Sequence, residues 1–144
     1  MSQSSAKKRL YVIDMTNEQV VMNTWVAHGR NSGHAYANRF SNRLSSHQTS
    51  LGFYITGKTY RGEHGLSLRL TGQEAGINDK AYRRAVVVHG ANYIGENTQG
   101  RSFGCPAVPK EICAELIEII KDGSCLFIYH PTQAYTKKSK ILNG

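Results

Sequence analysis

A single stretch of this chain has the apolar spacing of a strong amphipathic helix, and this observation limits most strongly which folds the chain can adopt. Within residues 109–121 the apolar side chains recur at helical spacing, at Ile112, Leu116, Ile119 and Ile120. Pro109 suits the first turn of that helix, and Gly123 follows where a helix-ending glycine belongs. The other apolar segments are short, rich in β-branched or aromatic residues, and separated by many of the 14 glycines. We therefore predict a mainly β domain with one principal α-helix packed on it.

The strand-like segments of the first half form pairs joined by turn residues. Residues 10–13 and 20–26 predict a first hairpin, because both are short and β-branched. Residues 51–56 and 64–70 predict a second hairpin, with its turn at residues 57–62. Antiparallel pairing is the expected result in both cases.

Two later segments also predict strands. Residues 85–88 are a continuous apolar run typical of a buried central strand, and this strand delivers His89 at its end. Residues 124–129 predict the last strand, and residues 78–84 predict one short helical stretch capped by its Asn-Asp start.

The length of 144 residues is that of one domain. We assign residues 10–131 to this domain, residues 1–9 to a disordered basic lead and residues 132–144 to a basic C-terminal tail without a core-forming pattern. Residues 28–50 are rich in Gly, Ser, Asn and Arg and predict a long loop. Long loops in compact domains are usually functional.

The positive charge lies largely at the two ends. The chain has 18 Lys and Arg against 10 Asp and Glu, a formal net charge of +8. Six of these cations lie near the termini, at Lys7, Lys8, Arg9, Lys137, Lys138 and Lys140. Residues 10–136 keep 12 cations against 10 anions, which argues against a nucleic-acid groove over the domain. We therefore expect no nucleic-acid partner.

Membrane and metal chemistry are not predicted either. No apolar run approaches the ~18 residues of a membrane helix, so we expect a soluble chain without membrane insertion. Cys105, Cys113 and Cys125 are too few for a disulfide scaffold and lack the paired spacing of a zinc site. We expect Cys113 and Cys125 to be buried as small apolar side chains rather than paired.

Cys105 has the sequence context of a nucleophile. It lies in a glycine-rich turn between the strand that ends at His89 and the predicted helix, so the amides of Gly104 and Cys105 can form an oxyanion hole. His89, followed by Gly90, is the best candidate for its base, and 16 positions allow the loop to fold back. The same context also fits a buried structural cysteine with an unrelated loop histidine.

These residues resemble the signature of a known family. His89-Gly90-Ala91 followed by Gly100-Arg101-Ser102-Phe103-Gly104-Cys105-Pro106 is similar to the YkuD-type murein L,D-transpeptidases, in which an H-G pair precedes an S-x-G-C block. Further similar blocks are Ser50-Leu51-Gly52-Phe53-Tyr54, Gly62-Glu63-His64-Gly65-Leu66-Ser67-Leu68, Asn78-Asp79-x-Ala81 and Arg84-Ala85-Val86-Val87-Val88-His89. The resemblance to the murein L,D-transpeptidase catalytic-domain family covers roughly residues 10 to 130.

The resemblance implies a β-sandwich catalytic domain and acyl transfer through a cysteine thioester, without a cofactor or metal. Cys105 would attack a peptide carbonyl of a peptidoglycan stem and pass the acyl group to an amine of a neighbouring stem. His89 would be base and then acid, oriented by a backbone carbonyl near Gly90, and the amides of Gly104 and Cys105 would hold the oxyanion. The implied location is the periplasm or the cell wall, with a signal segment outside this sequence.

Six residues are predicted to bind substrate: Arg101, Ser102, Tyr93, His64, Arg84 and Tyr54. The guanidinium groups of Arg84 and Arg101 suit the carboxylates of a peptide stem. The alternative is a structural role, as loop bracing for Arg101 and as strand or core packing for His64 and Tyr54. His28 is also considered for the pocket, whereas His34, His47 and His130 fit no metal motif and receive no role.

Phe103 departs from the more familiar S-H-G-C pattern, because it occupies the histidine position. A function of that histidine cannot be transferred, so hydrolysis or an altered acceptor stays open. The rival functions are a stem-peptide hydrolase, either a carboxypeptidase or an endopeptidase, and a non-catalytic domain that binds an anionic polymer through its basic ends.

Overall fold

The computed structural model describes residues 1–96 and 102–144. The elements in chain order are β1 (Leu10–Asp14), β2 (Gln19–Thr24), β3 (Gly52–Gly62), β4 (Gly65–Gly72), β5 (Val87–Ala91), β6 (Ala107–Pro109), α1 (Lys110–Ile120), β7 (Cys125–Ile128) and α2 (Gln133–Thr136). The mainly β class with one principal helix is confirmed.

The strands form two sheets. A five-stranded sheet has the order β6-β5-β4-β3-β7, and β1 with β2 forms a separate two-stranded antiparallel sheet. Neighbours in the larger sheet are antiparallel except β5 and β6, which are parallel. Parallel neighbours cannot be joined by a tight turn, and residues 92–106 connect β5 to β6. That segment includes the turn that contains Cys105.

The helix α1 covers one face of the larger sheet. Its buried residues, Cys113, Leu116 and Ile117, recur at helical spacing and pack in the main core cluster. The sheet contributes fully buried Tyr54, Leu68 and Leu70 to this cluster. Burial of one helix face against the sheet is the expected source of the domain's stability.

Two local predictions differ from the structure, and two short elements were not predicted. The predicted turn at residues 57–62 lies within β3, because this segment pairs with β4 beyond an irregularity between Thr56 and Thr59. Residues 78–84 form turns instead of a helix, since the Asn78 side chain accepts from the Glu74 amide at 2.9 Å and donates to the Phe53 carbonyl at 3.0 Å. The short strand β6 and helix α2 had no sequence pattern long enough to predict them.

Both chain ends lie against the domain. In residues 1–9, expected to be a disordered lead, Ser5 is fully buried and the Arg9 guanidinium donates to the Val26 carbonyl. In residues 132–144, expected to be a tail, Tyr135 and Ser139 are buried. The sequence did not predict these contacts, because neither end has an apolar period.

Glu74 holds the C-terminal segment in place. Its buried carboxylate accepts hydrogen bonds from the Tyr135 hydroxyl at 2.9 Å, from the Phe53 amide at 3.0 Å and from the Ser139 hydroxyl. All three partners are donors, so an acceptor-only carboxylate satisfies them and an amide nitrogen would not.

We expect Glu74→Gln to lower the free energy of unfolding by about 1 to 3 kcal/mol, because at least one buried donor loses its acceptor. Urea denaturation measures this loss. Glu115→Gln on the exposed face of α1 is the matched control and should change stability by less than about 0.5 kcal/mol. Equal denaturation midpoints for the two variants would contradict the role given to Glu74.

Candidate active site

Strands β5 and β6 bring the two predicted catalytic side chains to one edge of the large sheet. His89 on β5 is the register partner of Ala107 on β6, and Cys105 lies two positions before Ala107. The Cys105 thiol lies 3.5 Å from the Val87 amide nitrogen and 3.7 Å from the Ala85 carbonyl oxygen. Cys105 is therefore fixed beside the start of the strand that carries His89. Among the described residues, the hydrogen bonds of the thiol are these two, and none joins it to His89.

The surroundings of Cys105 act on its ionisation in opposite directions. Burial raises the pKa of the Cys105 thiol, whereas the Val87 amide and the Arg84 charge lower it. Burial has the largest effect, so the resting thiol is protonated at neutral pH, and a role as nucleophile would require a base.

His89 has the tautomer that a base needs. The residue is 3% exposed, and its Nδ1 lies 3.1 Å from the Gly90 carbonyl oxygen. A carbonyl only accepts, so Nδ1 carries the proton and Nε2 is left with a free lone pair. Burial lowers the pKa of His89 below its usual value, the Gly90 bond raises it, and the charge of His64 lowers it. His89 is thus neutral at pH 7.

His64 lies directly against His89. The two rings stack with centroids 4.2 Å apart and an interplanar angle of 14°. His64 is exposed in the turn between β3 and β4, rather than in a strand as the sequence indicated. The structure therefore brings this predicted residue to the site from a neighbouring hairpin.

Residues 102–106, the turn that contains the predicted nucleophile and that we call the nucleophile turn, require a glycine at position 104. Its φ is +110°, and a Cβ at this position would lie 2.8 Å from the Gln48 carbonyl oxygen. Its amide donates to the Ser102 hydroxyl at 3.1 Å, so one amide of the predicted oxyanion hole has a partner inside the turn. The Cys105 amide has no acceptor among the described residues.

Gly90 permits the close approach of α1 to β5. A Cβ there would lie 3.1 Å from the Lys110 Cα and 3.1 Å from the Cys113 Cβ. The predicted H-G pair therefore combines the carbonyl that orients His89 with a packing position that excludes a side chain.

Three predicted substrate-binding residues have contacts inside the protein. Tyr54 is fully buried, and its hydroxyl donates to the Ser50 carbonyl at 2.7 Å, which leaves no surface for a substrate. Ser102 is 5% exposed, and its hydroxyl shapes the turn through Gly104. Arg84 donates to the carbonyls of Ser41 and Gln48 and to the hydroxyls of Ser46 and Ser50. Arg84 thus braces the loop of residues 41–50.

Tyr93, Arg101 and His28 are the remaining residues that the sequence analysis considered for the substrate pocket. Tyr93 is half-buried in the turn after β5, and its substrate role stays a prediction. Arg101 and Gly100 lie outside the described residues. His28 is fully buried. Its Nδ1 accepts a hydrogen bond from the Arg9 guanidinium at 2.8 Å, and its Nε2 bonds to the Gly33 carbonyl at 3.0 Å, so the ring is not exposed to a substrate pocket. Burial and the Arg9 charge lower the pKa of His28 to about 4.

The three cysteines are free. Cys113 is buried on α1 as predicted, whereas the prediction of burial was wrong for Cys125, which is exposed on the edge strand β7. Successive side chains of a strand point to opposite faces of the sheet, and Cys125 shares the exposed face of β7 with Phe127.

A cluster that the sequence analysis missed lies beside the nucleophile turn. Phe103 is 60% exposed and stacks on His47 with ring centroids 4.4 Å apart. The Arg30 guanidinium carbon lies 4.8 Å from the Phe103 centroid, and an Arg30 nitrogen donates to His47 Nδ1 at 2.9 Å. A signal was present in the sequence, because no Asp or Glu occurs between Glu18 and Glu63.

Metal-binding clusters and membrane-spanning helices are both absent from the described residues. Within residues 1–96 and 102–144, no group of three or more His, Cys, Asp or Glu side chains is arranged to hold a metal ion. None of the helices in the same residues has both the length and the apolar character needed to cross a membrane.

Comparison with known proteins identifies the family. No curated protein matches the chain. A family model described as the L,D-transpeptidase catalytic domain matches residues 1–129, which is most of the chain and includes β5, the nucleophile turn and α1. Peptidoglycan is the substrate associated with such domains. The chain therefore belongs to the L,D-transpeptidase catalytic domain family.

Proposed function

We propose that this protein is a peptidoglycan L,D-transpeptidase that transfers a stem-peptide acyl group through a thioester on Cys105. The observation that carries the proposal is the arrangement around β5: the Cys105 thiol lies against Val87 and Ala85, and His89 on the same strand has Nδ1 bonded to the Gly90 carbonyl. This gives a nucleophile and a base whose second nitrogen carries a lone pair.

In the first step, His89 Nε2 takes the thiol proton as Cys105 Sγ attacks the stem carbonyl carbon. Apo geometry need not show the direct thiol–imidazole bond, because catalytic hydrogen bonds often tighten only in the substrate complex. The carbon–nitrogen bond then breaks, and the terminal D-residue leaves with the proton from His89. In the second step, the amine of a neighbouring stem attacks the thioester, the carbon–sulfur bond breaks, and the proton returns to the thiol.

The oxyanion of each tetrahedral intermediate needs amide donors. The Cys105 amide is the first donor, since it has no acceptor among the described residues. The Gly104 amide becomes the second when it exchanges the Ser102 hydroxyl for the more strongly charged oxyanion. The positive φ of Gly104 lets the backbone direct both amides to one side.

Arg84 supports this site without contacting substrate. Its four hydrogen bonds hold residues 41–50 against the turn, and its charge lowers the pKa of Cys105. Because the substrate is peptidoglycan, the protein acts outside the cytoplasmic membrane, in the periplasm or cell wall.

The proposal is tested by incubating the protein with purified disaccharide-tetrapeptide and recording the mass of the intact protein. We expect an acyl adduct, which digestion maps to Cys105, and a cross-linked dimer as the product. EDTA should leave the reaction unchanged, because thioester chemistry needs no metal. Tripeptide without dimer would assign the hydrolase alternative, and absence of any Cys105 adduct would contradict the proposal.

A further inference from the structure

Arg30, His47 and Phe103 form a stacked cluster on the surface, which we call the Arg30 cluster. The Phe103 ring centroid lies 4.4 Å from the His47 ring centroid and 4.8 Å from the Arg30 guanidinium carbon. The bond from Arg30 to His47 Nδ1 at 2.9 Å uses one guanidinium N–H. The other N–H groups of Arg30 have no protein acceptor among the described residues, and they remain available to a ligand.

The cluster is attached to the nucleophile turn by backbone contacts. The Arg30 amide donates to the Ser102 carbonyl at 2.8 Å, and the Asn31 amide donates to the His47 carbonyl at 3.0 Å. Gly104 packs against the Gln48 carbonyl, directly after His47. Residues 29–31, 46–48 and 102–104 therefore form one surface next to Cys105.

The backbone of this surface is held in an uncommon conformation. Ser45 and His47 have φ values of +59° and +52°, in the left-handed region that non-glycine residues rarely adopt. Residues in this region persist where their surroundings fix them, which is frequent at ligand sites. In this conformation the His47 ring stacks on Phe103.

The charge of the cluster is uncompensated. Residues 19–62 contain no Asp or Glu, and within the described part of the chain the one ion pair joins Lys121 to Glu118. Arg30 is exposed, and its charge has no carboxylate partner among the described residues. An exposed guanidinium presents N–H donors to a planar anion, and a carboxylate can accept two parallel hydrogen bonds from it.

We propose that the Arg30 cluster is a specificity subsite that binds a free carboxylate of the stem peptide beside Cys105. The proposal rests on the proposed function and assigns the cluster to positioning rather than to bond cleavage. Phe103 fixes the guanidinium and shields one face from water, which strengthens the contact with the anion. The carboxylate belongs either to the donor stem, bound before acylation, or to the acceptor stem, bound before transfer.

Arg30→Gln tests this subsite. If the donor carries the carboxylate, acylation of Cys105 by subsaturating disaccharide-tetrapeptide should slow about tenfold or more, because a charge-assisted bidentate contact is lost. If the acceptor carries it, acylation is unchanged and transfer to the acceptor amine slows by the same factor. The matched control is Arg39→Gln, an exposed arginine of the same loop outside the cluster, which should change either rate less than twofold.

A donor with amidated carboxylates separates recognition from general damage to the site. The amidated donor should acylate wild type and Arg30→Gln at equal rates if the donor carboxylate is the ligand. If the acceptor carboxylate is the ligand, transfer to an amidated acceptor should proceed at equal rates in the two proteins. Equal acylation and equal transfer of the unmodified stems in both proteins would overturn the subsite while leaving the proposed function intact. Absence of acylation of wild type by the unmodified disaccharide-tetrapeptide would instead contradict the proposed function.

Discussion

Cys105→Ala is expected to abolish acyl-enzyme formation, with no adduct above the detection limit after exposure to tetrapeptide. The variant removes the atom that forms the thioester, and no other cysteine can substitute for it. Cys113 is buried on α1, and Cys125 lies on the edge strand β7. Intact-protein mass spectrometry measures the adduct, and dimer formation by chromatography measures turnover.

The fold of this variant should be retained. Cys105 is half-buried, and its thiol makes long contacts of 3.5 Å and 3.7 Å with backbone groups of Val87 and Ala85. These contacts contribute little packing compared with a buried core side chain. Substantial residual turnover in a folded Cys105→Ala protein would contradict the assignment of the nucleophile.

The other two cysteines provide matched controls. Cys125→Ala should keep both activity and stability, because the side chain is exposed. Cys113→Ala should lower the free energy of unfolding by about 1 kcal/mol or more, since it leaves space in the core, while activity per folded molecule stays. The three variants together separate nucleophilicity from packing.

The sequence predicted elements that have a local period. The hairpins, the buried run before His89 and helix α1 each follow from apolar spacing within one short segment. Cys105 and His89 were predicted as a pair because glycine context and a strand end are also local features. The parallel pairing of β5 with β6, which fixes their relation, is a long-range contact that no local period encodes.

Side-chain direction was the main feature that the sequence could not predict. Arg84 and Tyr54 were predicted to face substrate. The Arg84 guanidinium instead donates hydrogen bonds to hydroxyls and carbonyls of the loop, and Tyr54 lies in the core. Each outcome depends on register and on how residues 28–50 fold back. The contact of Phe103 with Arg30 joins positions 73 apart along the chain, so composition could indicate a basic loop but not its location.

His89→Ala is expected to reduce the rate of Cys105 acylation by about 10²- to 10⁴-fold, the usual contribution of a general base. Because burial raises the pKa of the thiol, few thiolates exist at neutral pH, so proton removal by His89 decides the rate. His64→Ala should cost much less, since His64 is exposed and acts through its stacking on His89.

The pH profile distinguishes these two histidines. In wild type, acylation should rise with pH as His89 loses its proton, and the rise begins below the ordinary histidine pKa because burial and the charge of His64 lower the pKa of His89. His64→Ala removes that charge and uncovers the ring, so the pKa of His89 increases and the acid limb moves to higher pH. His34→Ala, an exposed histidine that no catalytic step uses, should leave the limb in place.

Rate and profile must agree for the assignment to hold. In His89→Ala the acid limb should disappear, leaving a low rate that follows ionisation of the thiol alone at high pH. If His64→Ala lost more activity than His89→Ala, the exposed ring would be the base, and the stacked pair at 4.2 Å would have the opposite roles. A normal rate with the acid limb unchanged in His89→Ala would remove His89, the one histidine on the strand that adjoins Cys105, from the mechanism.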